Sequence, residues 1–112
     1  MKKIELKDAV QYEAPGHFDV STMRLHGKEE SGASKFMMGL SHFLPAGGCE
    51  MGASPTEKIY LVLKGEITVK TQTEEYVLGS MDSIFIGPDE ERAIINNTNN
   101  PVSMLVVMNY PD

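Results

Sequence analysis

An all-β domain is predicted for this chain of 112 residues. Short runs of β-branched and apolar residues recur along it, clusters of Gly, Pro, Asn and charged residues separate them, and no long window repeats with a helical period. Spacing of this kind suits a sandwich or a jelly-roll barrel. Strands are expected at 34–44, 50–54, 58–63, 66–71, 75–78, 83–86, 92–97 and 102–109. Lys64-Gly65 reads as a hairpin turn, Gly87-Pro88-Asp89 as a second turn and residues 96–101 as a third, each rich in residues that tolerate left-handed or fixed backbone angles.

The first 33 residues carry a weaker pattern. Residues 14–19 make a turn-like break, 21–26 fit a short strand and 27–33 form a polar loop. The expected organisation is therefore a leading arm, residues 1–33, packed on the barrel or on a partner subunit, followed by the barrel itself, residues 34–112. A leading strand of this kind covers a sheet edge that would otherwise invite aggregation, and a homodimer is expected. Ile59, Leu61, Leu63 and Phe85, which alternation turns outward, are the apolar residues expected to pack against that partner.

Length allows one core and no second module. The net charge of −6 is unevenly placed. Residues 1–70 hold nine basic and nine acidic side chains, so the excess comes from residues 71–112, where seven acids face a single base, Arg92. Such a surface lacks the clustered Lys and Arg that nucleic acid requires, and no nucleic-acid partner is expected. Charges interrupt the amino-terminal apolar residues, no stretch is long enough to span a membrane, and the one cysteine, Cys49, excludes an internal disulfide. A cytoplasmic protein is expected. Cys49 itself reads as a small buried hydrophobe, since no cation stands next to it in sequence.

Two blocks carry a family resemblance. The first runs from Pro45-Ala46-Gly47-Gly48 through Gly52-Ala53-Ser54-Pro55-Thr56-Glu57-Lys58 to Tyr60-Leu61-Val62-Leu63-Lys64-Gly65-Glu66. The second reads Asp82-Ser83-Ile84-Phe85-Ile86-Gly87-Pro88, then Arg92-Ala93-Ile94-Ile95-Asn96. Together with the flanking strands they resemble the two signature motifs of the cupin superfamily in its small single-domain form. The resemblance implies a double-stranded β-helix, the jelly-roll barrel, and points to a homodimer. It also implies a metal site of three His and one Glu, and counting back from Gly65 and Asn96 places those four ligand positions at Gly52, Ser54, Lys58 and Arg92. None is a ligand. A Lys and an Arg in these slots repel a dication, so no metal and no cofactor is expected. A rearranged site built from His42, Glu50 and His17 or His26 is the remaining metal alternative.

Alternation along strands turns Lys58, Tyr60 and Val62 to one side and Arg92, Ile94 and Asn96 to one side, and the resemblance makes that side the barrel interior. The eight methionines mostly fill the core. Two cations inside a barrel must be paired or used. Structurally, Lys58 would pair with Glu50 or Glu57, and Arg92 with Glu90 or Glu91. Functionally, Arg92 would bind a carboxylate or phosphate bidentately and Lys58 would add a point charge, with Ser54, Tyr60, His42 and Asn96 as oriented polar groups. The function expected is thus metal-independent binding of a small anionic metabolite. The alternative is a metal-independent isomerase, lyase or decarboxylase acting on a carboxylate or keto acid. Lys58 would then be base or Schiff-base lysine, and His42 or Tyr60 its acid–base partner.

Overall fold

The computed structural model describes residues 1–111. A 3-10 turn at Leu6–Asp8 leads into strands β1 (Val10–Tyr12) and β2 (His17–His26), then a single helical turn, α1 (Lys28–Ser31). Seven strands follow: β3 (Phe36–Gly52), β4 (Lys58–Lys64), β5 (Ile67–Lys70), β6 (Glu75–Leu78), β7 (Ser83–Ile86), β8 (Arg92–Ile95) and β9 (Val102–Asn109). They hydrogen-bond in the order β6-β5-β8-β3-β9-β4-β7, with β2 also on β3 and β1 on β2. The result is an all-β, nearly closed jelly-roll barrel.

The two runs 34–44 and 50–54 form one strand rather than two. Pro45-Ala46-Gly47-Gly48 bends β3 without ending it, and Ala46 takes a left-handed φ of 66° to make the bend. Before the bend β3 lies between β2 and β9; after it β8 takes the place of β9 while β2 continues alongside. One strand thereby passes from one sheet of the barrel to the other. The bend needs glycine for space: a Cβ on Gly48 would sit 1.9 Å from the Ile94 carbonyl oxygen and one on Gly47 2.2 Å from that of Asp19.

Lys64-Gly65 is a turn, with Gly65 at φ 96°, yet it makes no hairpin. β4 pairs with β7 and β9 while β5 pairs with β6 and β8, so this turn carries the chain between sheets. The polar loop 27–33 contains the helical turn α1, ended by Gly32 at φ 76°. β2 is longer than the strand expected at 21–26 and runs beside both halves of β3, from His17↔Cys49 to His26↔Met38.

The core lies between the sheets, where alternation delivers Phe43, Val62, Ile67, Val69, Ile94, Val102 and Met104, each no more than 2% exposed. Outward residues of the same strands remain uncovered. Ile59, Leu63 and Phe85 are exposed and Leu61 is half-buried. Among the described residues, no helix is long and apolar enough to cross a membrane.

Candidate functional site: a cavity with two cations

Lys58 opens β4 and Arg92 opens β8, and both side chains line one cavity of about 80 Å³ inside the barrel. Lys58 opposes Ile86 and Met108 across its two neighbouring strands, and Arg92 opposes Gly52. The cavity wall between them is Tyr60, two residues along β4 and so on the same face as Lys58. Thr22, Ser41 and Phe43 close the side formed by β2 and β3, and Tyr12 and His17 come from the amino-terminal segment.

Neutral partners hold both cations. Lys58 Nζ donates to Ser54 Oγ and to Thr56 Oγ1 at 3.1 Å, and those two hydroxyls hydrogen-bond each other at 2.8 Å. Arg92 Nε donates to the Tyr60 hydroxyl at 3.0 Å and one terminal nitrogen donates to the Gly52 carbonyl at 3.0 Å. The ion pairs among the described residues join Lys3 and Lys7 to Glu5, Arg24 to Glu30 and Lys70 to Glu75. Neither Lys58 nor Arg92 is among them, so the pairings open to them in sequence, with Glu50, Glu57, Glu90 or Glu91, do not form.

The electrostatics follow from this arrangement. Burial, and then the Arg92 charge beside it, lower the Lys58 pKa. Burial raises the Tyr60 pKa, with the Arg92 charge opposing, so the phenol keeps its proton. Arg92 also stands near Cys49, a cation that was not visible next to it in sequence. Burial nonetheless prevails and raises the thiol pKa, so Cys49 remains a buried neutral group.

A stability prediction arises from Lys58. The folded protein holds its proton less tightly than the unfolded chain does, so the deficit is fully present at pH values below the folded pKa. It disappears as pH rises through that pKa towards the ordinary lysine value. Lys58→Met should therefore be more stable than the ligand-free wild type at pH 7. Wild type should close the gap at alkaline pH. Urea melts of both proteins across that range test this, and a gap that stays constant with pH would contradict it.

Two of the expected site residues stand elsewhere. His42 lies between Ser41 and Phe43, which face the cavity, and so points to the opposite side of β3, where its Nδ1 hydrogen-bonds Ser103 Oγ at 3.0 Å. Asn96 is 1% exposed but does not line the cavity. Its amide donates to the carbonyls of Phe43 and Asn100, and its Oδ1 accepts from the Thr98 amide and hydroxyl. It pins the 96–101 turn to the barrel. Ser54 touches the site through the Lys58 ammonium. Tyr12, Thr22, Ser41 and Thr56 are additions that sequence reasoning missed, and His17, named there only as an alternative metal ligand, lines the cavity.

The donor set does not fit a dication. The four positions matching a cupin metal site carry Gly52, Ser54, Lys58 and Arg92, two of them cations. Among the described residues, no group of three or more His, Cys, Asp or Glu side chains is assembled to hold a metal. The rearranged alternative fails on the same geometry, because His42 faces away from His17. His17 lines the cavity, with its Nδ1–H donating to the Pro15 carbonyl at 2.9 Å.

A family model for the cupin domain matches residues 39–108, which span the bent strand, both cation positions and the last strand. The chain belongs to the cupin family. This cupin is 39% identical over 111 residues, covering 99% of its own length and 96% of the relative, to a beta-D-galactosidase of Mycobacterium tuberculosis. Among solved structures it resembles the polyketide cyclase RemF of Streptomyces resistomycificus, with a TM-score of 0.86 at 21% identity over 97% of this chain and 79% of that one. It also resembles a cupin-superfamily sugar phosphate isomerase of Silicibacter pomeroyi, with a TM-score of 0.81 at 18% identity over 98% and 76% of the two chains. At these identities the two structures show the fold alone.

Proposed function

We propose that this cupin barrel binds a small organic anion, without a metal, through Arg92 and Lys58. The observation that carries the reading is that both cations line one cavity and, among the described residues, neither has an acidic partner. Buried cations held only by neutral groups are costly, and an anionic ligand offsets that cost. Arg92 is the directional partner, because a guanidinium matches a carboxylate with two parallel bonds; Lys58 adds charge. A thermal-shift screen of small carboxylic acids, sulfonates and phosphates tests the reading. Stabilisation by anions, and not by neutral esters or amides of the same acids, is expected. Equal response to both would overturn it.

A second, enzymatic reading is favoured by two observations: the lowered Lys58 pKa and the near full-length similarity to a protein named as a beta-D-galactosidase. A neutral Lys58 amine beside an Arg92-bound keto acid would expel water to form an imine, the entry to decarboxylation or isomerisation. Borohydride added with pyruvate should then fix a reduced adduct on Lys58, readable by mass spectrometry. For galactoside hydrolysis the usual requirement is two carboxylates flanking the bond. Among the described residues no acidic side chain lines the cavity; Glu90 and Glu91 line a separate cleft that also includes Arg92. Release of nitrophenol from a nitrophenyl β-D-galactoside, abolished in the Glu90→Gln/Glu91→Gln protein, is the result that would favour hydrolysis over simple binding.

The uncovered apolar residues on β4 and β7 support a homodimer, with the second copy seated over Ile59, Leu63 and Phe85. Stable interfaces bury about 1,600 Å² in total and lose affinity when a charge is placed at their centre. Light scattering at micromolar concentration should give twice the chain mass for wild type and the chain mass for Ile59→Glu/Phe85→Glu. A monomeric wild type would remove this part of the proposal.

A further inference from the structure

The cavity is too small for a whole metabolite. Ligand sites usually enclose about 300–1,000 Å³, whereas the space between Lys58 and Arg92 is about 80 Å³, room for an anionic head group. Arg92 also lines a second space, a cleft of about 190 Å³. Val69, Tyr76, Ile84 and Phe85 make the walls of this cleft, and the exposed carboxylates Glu90 and Glu91 stand at its mouth. The cleft lies where the barrel is open, between the terminal strands β6 and β7 of the hydrogen-bonded order. The groove that shares Lys58 is a poorer continuation. It runs past Ile59 and Val107, on the outer face of the sheet, whereas the Lys58 ammonium turns inward to Ser54 and Thr56.

We infer that the ligand carries a single anionic group: this head sits on Arg92, and an apolar or aromatic tail, ending in a hydrogen-bond donor or a cation, fills the cleft between β6 and β7. This rests on the anion-binding reading above and adds the tail and its polarity. Two of the five guanidinium N–H groups are committed to Tyr60 and Gly52, which leaves the others for the head group. The walls suit a ring or a branched chain by area and by stacking on Tyr76. The two carboxylates at the mouth disfavour a second negative charge and favour an ammonium or hydroxyl group there.

Three probes built on one benzoate ring separate these terms: benzoate itself, 4-(aminomethyl)benzoate and terephthalate, titrated calorimetrically into wild type, Arg92→Met and Glu90→Gln/Glu91→Gln. Gln keeps the acceptor oxygens that Glu90 offers to the Gly87 amide at 2.5 Å and Glu91 to Gln72 at 2.6 Å, so the turn is preserved. Wild type should bind the aminomethyl compound about threefold to fivefold more tightly than benzoate, and terephthalate more weakly than benzoate by a similar factor. The double Gln protein should bind all three within about twofold. A flat order in wild type, or the same order in the Gln protein, would overturn the tail and leave the cation site standing, provided that benzoate binding still needs Arg92. No benzoate binding by wild type, or binding that Arg92→Met leaves unchanged, would overturn both.

Discussion

Replacing Arg92 with Met is expected to weaken binding of a carboxylate ligand by about 2–4 kcal/mol, the range found when one partner of a desolvated charge pair is removed. That corresponds to roughly a thirtyfold to thousandfold rise in Kd. The loss should exceed that of Lys58→Met, because the guanidinium fork fixes the ligand's orientation whereas the ammonium supplies charge from its place on Ser54 and Thr56. The empty barrel should tolerate the change. Arg92 gives up hydrogen bonds to Tyr60 and Gly52, but with it goes a half-buried cation that has no acidic partner. Calorimetry with the best acid from the screen, paired with a thermal melt of each ligand-free protein, gives both numbers. An Arg92→Met protein that melts normally and binds the acid as wild type does would place the anion elsewhere.

The second large effect concerns the backbone and not the site. Gly48→Ala puts a methyl group 1.9 Å from the Ile94 carbonyl oxygen, inside the β3–β8 pairing. A flexible side chain could yield; a carbonyl oxygen in a strand cannot move without its ladder. Overpacking usually costs about 1–3 kcal/mol, and here the strained group is main chain, so a loss of about 3 kcal/mol or more is expected. For a domain of ordinary stability, about 5–15 kcal/mol, that is a large fraction. Gly52→Ala is the internal control, because its new methyl group would meet nothing closer than 3.9 Å. Urea midpoints that fall alike in both proteins, or in neither, would remove the close-approach argument.

The strand pattern was legible because short β-branched and apolar runs are bounded by Gly, Pro and Asn, and in β4 and β7 burial alternates, with Lys58, Tyr60 and Val62 buried on one face. The bend in β3 was not. Pro45-Ala46-Gly47-Gly48 reads as a terminator in one dimension, and the tight approach of Asp19 and Ile94 that requires two glycines exists only in the folded state. His42 was misplaced for a related reason. Both faces of β3 are rich in apolar residues, Phe36, Met38 and Leu40 against Met37 and Phe43, so alternation alone could not say which one looks inward. Asn96 carried the parity of Arg92 inward, but a buried amide ringed by main-chain groups serves the turn. Tyr12 and Thr22 escaped because they reach the cavity through the pairing of β1 with β2 and of β2 with β3, and His17, considered only as a metal ligand, arrives by the second of these. The one available signal was the alternation of β2 itself, which buries Thr22 opposite Ser41.

The position of β9 has a bearing on how the chain is made. Residues 102–109 insert between β3 and β4, pairing with the first half of β3 and with most of β4. Until a ribosome has released that segment, β3 and β4 have no common partner, and the apolar side chains of both wait uncovered in a nascent chain. Every earlier strand pair can form, yet the barrel cannot shut. A chain terminated at residue 101 would lose a central stave, not a trim, and should appear in cells as a substrate of chaperones and proteases instead of a shortened but folded protein.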